Sequence, residues 1–581
     1  LTRTEADQII LDMLCSSVVN ETELQACIYQ KTAGNPFFIL QLMQTLNQEE
    51  ILTWDKEEFH WTWSQVLIEE LGIDDDVIAL MKRQLYKLPP QALELIKQAS
   101  CIGNRFSLTV LKSISHLNLE TIHDLLTTHC HHLVQPVKEA YRQILVAQDF
   151  PNIEVGYKFL HDRIQQAAYH LMLEEQRVIT HLKIARGVTL NATDKYIKDN
   201  LFFIVDQFNG GYLISSEKNH VTKDELNSLI RLNYKAGEKS IQASAYGVAL
   251  HYFKTAISLI QQEDWTEHYS FYLSLFTLAA EAAMYHKTES AMMHYVRQVR
   301  LNAQSIIDEI PVIELQIRYA AQHNKLTQAL DLAAQTLHAL GVKWYTNIKE
   351  HELDRCYKEI EDKIHALGGP DAFLELPQET DQKQLAIIRI LVSMIETTRG
   401  HSHLLFQENI LLIMQRSLNS IHPYMGFILG CYGLLLCGVR SKLKTGVKFG
   451  IIAEKIAKTH QSSQYYARMK FVVYSNVRCF GPAFASNLQG LKDSFEYGFE
   501  TGDLNYAGHA NLQYIVTHFF IGTSLHDVFT KLNKYVPRMT SLGLDFDRQF
   551  LMPLYQLVYN LRTSPKNPHV FKGPYFSESS L

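Results

Sequence analysis

Residues 237–256, GEKSIQASAYGVALHYFKTA, decide the fold class. Gly237 is followed by Ala249, then Phe253, then Ala256. This is the small-residue and A-x-x-x-F spacing of a tetratricopeptide helix pair. Small side chains are needed where two antiparallel helices cross closely, and an aromatic ring fills the gap to the next repeat. Weaker copies follow at Ala279, Ala291 and Tyr295, and again at Ala329 and Ala333, so the period drifts near about 40 residues. Farther on, Glu500-Thr-Gly-Asp-Leu-Asn-Tyr-Ala507 reads as another helix corner, with Gly502 ending one helix and Asp503 placed to cap the next. From about residue 225 onward the pattern is a degenerate helical solenoid.

The rest of the chain must hold further units, since 581 residues exceed what one core supports. With 46% hydrophobic and 20% charged residues, and only 27 Gly and 15 Pro, the disordered and collagen-like classes drop out. The formal charge of -6 offers no global attraction for nucleic acid or anionic lipid. The eight cysteines include no C-x-x-C pair, which fits reduced thiols and a cytoplasmic location. Pro423 to Val439 is uncharged but falls short of the ~20 residues of a membrane helix and contains four glycines. It reads as a buried helix on which a neighbour packs closely. No signal peptide is legible, and the first residue, Leu1, suggests a fragment.

Upstream of the solenoid, residues 1–50 read as three short helices, with Pro36 in the first turn of the third and Gly34 supplying a sharp entry. The run ILTWDKEEFHWTW, residues 51–63, alternates around a charged centre and predicts a hairpin. Helices are then expected near Val77–Lys87, Pro90–Ile102, Leu108–Ser115 and Leu119–His129, followed by strands at Leu133–Val137 and Glu154–Phe159. Helices followed by a two-strand wing are the order of a winged-helix domain. The segment Leu119–His132, where a recognition helix would lie, carries no Lys or Arg, which argues against nucleic acid as a partner.

Four stretches line up with one family. They are Lys31-Thr-Ala-Gly-Asn-Pro-Phe-Phe38, the segment Asp76 to Pro89, Ala99-Ser-Cys-Ile-Gly-Asn-Arg-Phe106, and Tyr157-Lys-Phe-Leu-His-Asp-Arg-Ile-Gln-Gln-Ala-Ala-Tyr169. In these the chain resembles the large bacterial STAND-class signal-transduction ATPases, AAA-type switches set between a Ser/Thr kinase domain and a histidine kinase output. The Trp265 region, the Gly446–Ala453 helix and Gly498–Asp503 also look like that family's helical sensor. The resemblance implies a mostly α fold: a helical lid with a small hairpin over 1–76, a winged helix over 77–180 and a tetratricopeptide-like sensor over 181–581.

It further implies ATP or ADP with Mg2+ in the parent protein, held between a P-loop core and the lid. No G-x-x-x-x-G-K-[ST] occurs in this chain, and Leu71-Gly-Ile-Asp-Asp-Asp76 lacks the apolar strand of a Walker B motif. Nucleotide binding is therefore expected only with an upstream core. On that condition the Gly34-Asn-Pro36 turn resembles the element whose proline packs near adenine. His161 and Asp162 resemble the pair whose histidine approaches the β-phosphate of ADP. The competing readings are a plain helix start at Pro36 and a structural pair at His161. The stretch Pro565–Pro574 resembles an inter-repeat linker of the family, which favours truncation.

No catalytic constellation is legible. His129-Cys130-His131-His132 cannot converge on one tetrahedral ion without a fold-back of the backbone, so no metal site is assigned. His161-Asp162 has no nucleophile elbow beside it. Two functions remain. One is a regulatory and sensor module that couples a protein partner or ligand on the solenoid to kinase output outside this chain, with oligomerisation on activation. The other is a freestanding interaction scaffold, such as a bacterial effector, without nucleotide switching.

Overall fold

The computed structural model describes residues 1–15, 18–70, 77–137, 155–190, 192–213, 222–260, 264–344, 348–459, 463–481, 484–563, 567 and 570–578. The protein is mostly α-helical, and its described strands form one hairpin and one three-stranded sheet. Two compact units divide the chain, Leu1–Leu232 and Asn233–Leu581. The boundary falls within the helix Lys223–Gln242, so residues 181–232, grouped with the sensor above, belong to the first unit by contact. The Walker-B-like stretch 71–76 lies outside the described residues.

In the first unit, helices Arg3–Leu14, Glu21–Thr32 and Pro36–Gln48 stand where the sequence places them. The hairpin pairs β1 (Leu52–Asp55) with β2 (His60–Trp63). It is pinned to these helices by indole donors, Trp61 Nε1 to the Leu14 carbonyl at 3.0 Å and Trp63 Nε1 to the Val19 carbonyl at 2.7 Å. Helices Pro90–Ile102, Leu108–Ser115 and Leu119–Thr128 follow, with a sheet whose order is β3 (Arg105–Ser107), β5 (Gly156–Phe159), β4 (Val134–Pro136). The two expected wing strands are present. The third, β3, is a three-residue strand that begins at Arg105, too short to show a period in sequence. His123, within the helix Leu119–Thr128, is buried and its Nδ1 lies 3.0 Å from the Tyr157 hydroxyl, a structural role.

The second unit begins with antiparallel pairs: 223–242 with Tyr246–Ser258, Tyr269–Tyr285 with Glu289–Asn302, and Ile306–Gln322 with Leu326–Ala339. Each pair turns through one left-handed residue, Ser244 (φ 57), Lys287 (φ 59) and Asn324 (φ 57). Each turn closes with the same bond, from Ala245, Thr288 and Lys325 N–H back to the carbonyls of Ser240, Ala283 and Ala320 at 2.8–2.9 Å. This is the Schellman cap. The caps lie 43 and 37 residues apart (287 − 244 and 324 − 287), which bracket the drifting period expected above. Ala249, Phe253 and Ala256 are fully buried, and a Cβ at Gly237 would lie 2.3 Å from Phe253 Cε1. The assigned register therefore holds.

The uncharged stretch after Pro423 is the helix Met425–Gly438, and all its residues but Leu434 and Gly438 are buried. Its Gly433 backs onto the Gly446 carbonyl at 2.9 Å from an added Cβ, and its Gly426 onto that of Ala453 at 3.1 Å. Small residues thus let the helix Leu443–Thr459 approach closely. Among the described residues no helix is long and apolar enough to cross a membrane.

Candidate functional site

The two elements carried over from sequence meet in the first unit. Asn35 caps the helix Pro36–Gln48, its Oδ1 accepting from the N–H groups of Phe37 (3.0 Å) and Phe38 (3.4 Å). Pro36 occupies the first turn, where no N–H is missed. Gly34 is left-handed (φ 71), and a Cβ there would lie 2.9 Å from Tyr29 Cε2. That first turn presents Phe37, whose ring stacks on His161 with centroids 4.6 Å apart and planes 13° off parallel. Phe38 approaches the same imidazole at 5.3 Å.

His161 in turn starts the helix Asp162–His170, its Nδ1 accepting from Arg163 N–H at 3.2 Å. In the tautomer in which Nδ1 accepts, the ring proton sits on Nε2, from which it can be donated to an anionic oxygen. Asp162 Oδ1 lies 2.6 Å from the same Nδ1. The imidazole is 28% exposed, which leaves it reachable. The Gly34-Asn-Pro36 turn and the His161-Asp162 pair thus adjoin one another through the Phe37 ring. No residue is assigned to Mg2+.

A second site, which the sequence reading missed, lies in the second unit. A cavity of about 330 Å³ opens among the helices Ile306–Gln322, Ile395–His401, Ser463–Val472, Leu504–Phe520 and Asp545–Thr563. Its wall is a network of buried charges. Glu314, 4% exposed, accepts from Arg389 Nε at 2.6 Å, and Arg318 Nε lies 3.8 Å away. Burial alone would raise the Glu314 carboxyl, but these two guanidiniums hold it below its ordinary value. Arg468 bonds Asp503 through Nε at 2.6 Å and lies over the Tyr465 and Tyr506 rings at 4.8 and 4.9 Å. Asp503 therefore does not cap its helix with its side chain as expected. Its carboxylate is committed to Arg468, whose buried charge would otherwise be unpaired. Gly502, left-handed at φ 77, does end the preceding helix as expected.

Farther along the wall the Tyr506 hydroxyl donates to Glu396, which also accepts from Arg399 at 2.6 Å. Burial first, and the Glu396 charge next, push the Tyr506 hydroxyl well above its ordinary value. His509 Nδ1 lies 2.6 Å from Asp547 Oδ1, and Asp547 is 3% exposed. A signal for this site was present in the sequence: Glu314 and Arg318 stand one helical turn apart inside the otherwise apolar run IPVIELQIRYAA, 310–321.

No protein-family model matches the sequence. Hybrid signal transduction histidine kinase G of Dictyostelium discoideum is 20% identical across 93% of this chain, and the chain spans 17% of that protein's length. The chain is thus distantly similar to part of a signal-transduction kinase. A solved STAND protein with a tetratricopeptide repeat sensor, from Pyrococcus horikoshii, aligns over 95% of this chain and 74% of its own at 12% identity, with a TM-score of 0.25. At that score the fold is argued from this chain alone.

Proposed function

We propose that the chain is the regulatory and sensor part of a nucleotide-switched signal-transduction protein of the STAND class, with its P-loop core and kinase output elsewhere in the parent. Residues 1–232 supply the lid and winged-helix elements that face the nucleotide. Residues 233–581 supply the tetratricopeptide-like surface that senses a protein partner or ligand. The observation that carries this reading is the stack of Phe37 on His161. It joins the start of the Gly34-Asn-Pro36 helix to the His-Asp pair, two elements far apart in sequence that the resemblance assigns to one nucleotide.

In the parent protein His161 then donates through Nε2 to the β-phosphate of ADP and holds the resting state. The test is ADP dissociation from the P-loop-containing parent with His161→Ala and His161→Asn. Asn keeps a side-chain acceptor for the N-cap, so it preserves helix stability while removing the imidazole donor. Loss of a charge-assisted bond predicts ADP release faster by roughly 10- to 150-fold in both variants. Unchanged release in both, with only the Ala variant melting earlier, would return His161 to a structural role and end the switch reading.

A further inference from the structure

We infer that the cavity in the second unit binds a small molecule carrying an ammonium group and an oxygen acceptor, of the amino-acid or amino-alcohol class. Two independent features of its wall point there. The first is charge. Five carboxylates line the cavity against two guanidiniums, Arg318 and Arg468. Arg318 and Arg468 pair with Glu314 and Asp503 from within the lining, whereas Arg389, Arg399 and Arg548, which pair with Glu314, Glu396 and Asp545, are not among the lining residues. An occupant therefore meets more carboxylates than guanidiniums in the lining. Within it, Asp547 is nearly inaccessible and is paired at Oδ1 with a histidine rather than with a fixed cation.

Aromatic rings complete the lining, from Tyr285, Phe427, Tyr506 and Phe546. Their faces suit a cation in a partly desolvated site. The protein already uses this chemistry at the wall, where the Arg468 guanidinium lies over Tyr465 and Tyr506.

The second feature is unspent hydrogen-bonding capacity. Thr397 is 1% exposed and lines the cavity, and its Oγ1 has no hydrogen-bond partner among the described residues. Arg318 Nε, also on the wall, has none either; Glu314 Oε1 lies 3.8 Å from it. A buried polar group left in this state costs about 1–3 kcal/mol, which a ligand oxygen bonded to it would relieve. A simple polycation offers no such acceptor, and a simple anion has no answer to the carboxylates. The volume of about 330 Å³ accommodates a single amino acid or a comparable amine.

This assignment deepens the sensor reading and rests on it for meaning, but binding itself is measured without the switch. Calorimetric titration of the 581-residue chain with L-arginine, L-serine and ethanolamine tests it, with citrate and sorbitol as anionic and neutral controls. At least one ammonium probe should bind saturably with Kd below about 1 mM, and neither control should. Asp547→Asn should weaken that probe by roughly tenfold or more. Thr397→Val, which keeps the volume and removes only the hydroxyl, should weaken it by about three- to tenfold with an unchanged melting curve. The assignment is overturned if no ammonium probe binds up to about 10 mM, if a control binds better, or if the affinity ignores both variants. Amine binding that leaves ADP release in the parent unaltered would sustain the site and count against the switch. Accelerated ADP release in the His161 variants without amine binding would do the reverse.

Discussion

Gly237→Ala is the sharpest test of how the second unit is built, because two effects of known sign oppose each other there. In an exposed helix interior, replacing Gly by Ala stabilises by about 1 kcal/mol through propensity. At Gly237 the new methyl would stand 2.3, 2.6 and 2.7 Å from three ring carbons of Phe253. These distances are more than 1 Å short of ordinary carbon contact at roughly 3.5–4.0 Å. Phe253 is itself fully buried, as are Ala249 and Ala256 on the same helix. Overpacking of this kind costs about 1–3 kcal/mol, and more for so deep an overlap. The net expectation is a destabilisation of about 1–2 kcal/mol, read as a lower urea midpoint with unchanged slope. In a Phe253→Leu background the clash is gone, so the same Gly237→Ala change should become neutral or stabilising. A parent-background variant that unfolds later than the wild type would refute the crossing and the repeat register together.

Four further outcomes are expected. His422 is 2% exposed, with Nε2 2.8 Å from Ser417 Oγ, and burial pushes its pKa down from 6.5 to about 4. The unfolded chain then binds the extra proton first, so about 3 kcal/mol of stability present above pH 6.5 is lost as pH falls towards 4; urea midpoints at pH 7 and 4.5 should converge in His422→Gln. Arg468→Met strands the largely buried Asp503 carboxylate and should cost roughly 3 kcal/mol, most of it recovered by adding Asp503→Leu, as calorimetric melting can show. Lys287→Gly should raise the melting temperature, by up to about 1 kcal/mol of stability, since Lys287 sits in a left-handed cap. The isolated chain should show no ATP hydrolysis and no nucleotide affinity tighter than about 1 mM, measured by turnover against a boiled control and by titration with ADP.

How much of this was legible beforehand follows from which interactions are local. Helix starts such as Asn35-Pro36 and ends such as Gly502 are local events, and both stand where the sequence puts them. The Gly237 to Phe253 crossing was also readable, since it joins neighbouring helices through one size constraint. What escaped was set by distant partners. Asp503 looks like a cap because its position after Gly502 suits one, but Arg468 outbids the backbone N–H with a full charge. The strand Arg105–Ser107 forms only because Gly156–Phe159 lies beside it. The cavity escaped wholly, because an isolated Glu314 and Arg318 on an apolar helix could equally form a solvated pair.

The same distances explain why the charges around that cavity matter for more than local stability. In a stack of helix pairs each repeat touches only its neighbours, so binding at one place is felt mainly next door. Here the polar bonds leap over that order. Arg389 reaches Glu314 across 75 residues, Tyr506 reaches Glu396 across 110, and Arg468 reaches Asp503 across 35. Buried ion pairs of this kind add little net stability, because the desolvation of each charge offsets most of the attraction. Their effect is positional: each is satisfied in one relative placement of its helices and costs several kcal/mol if broken. A ligand ammonium competing for Asp547 or Glu396 therefore acts on the contacts that fix helices far apart in the chain. Glu396 is the junction, since it takes both the Tyr506 hydroxyl and Arg399. Arg399 shares the helix Ile395–His401 with Glu396, so it is the Tyr506 bond that ties the helix Leu504–Phe520 to that helix, and withdrawing it loosens the tie.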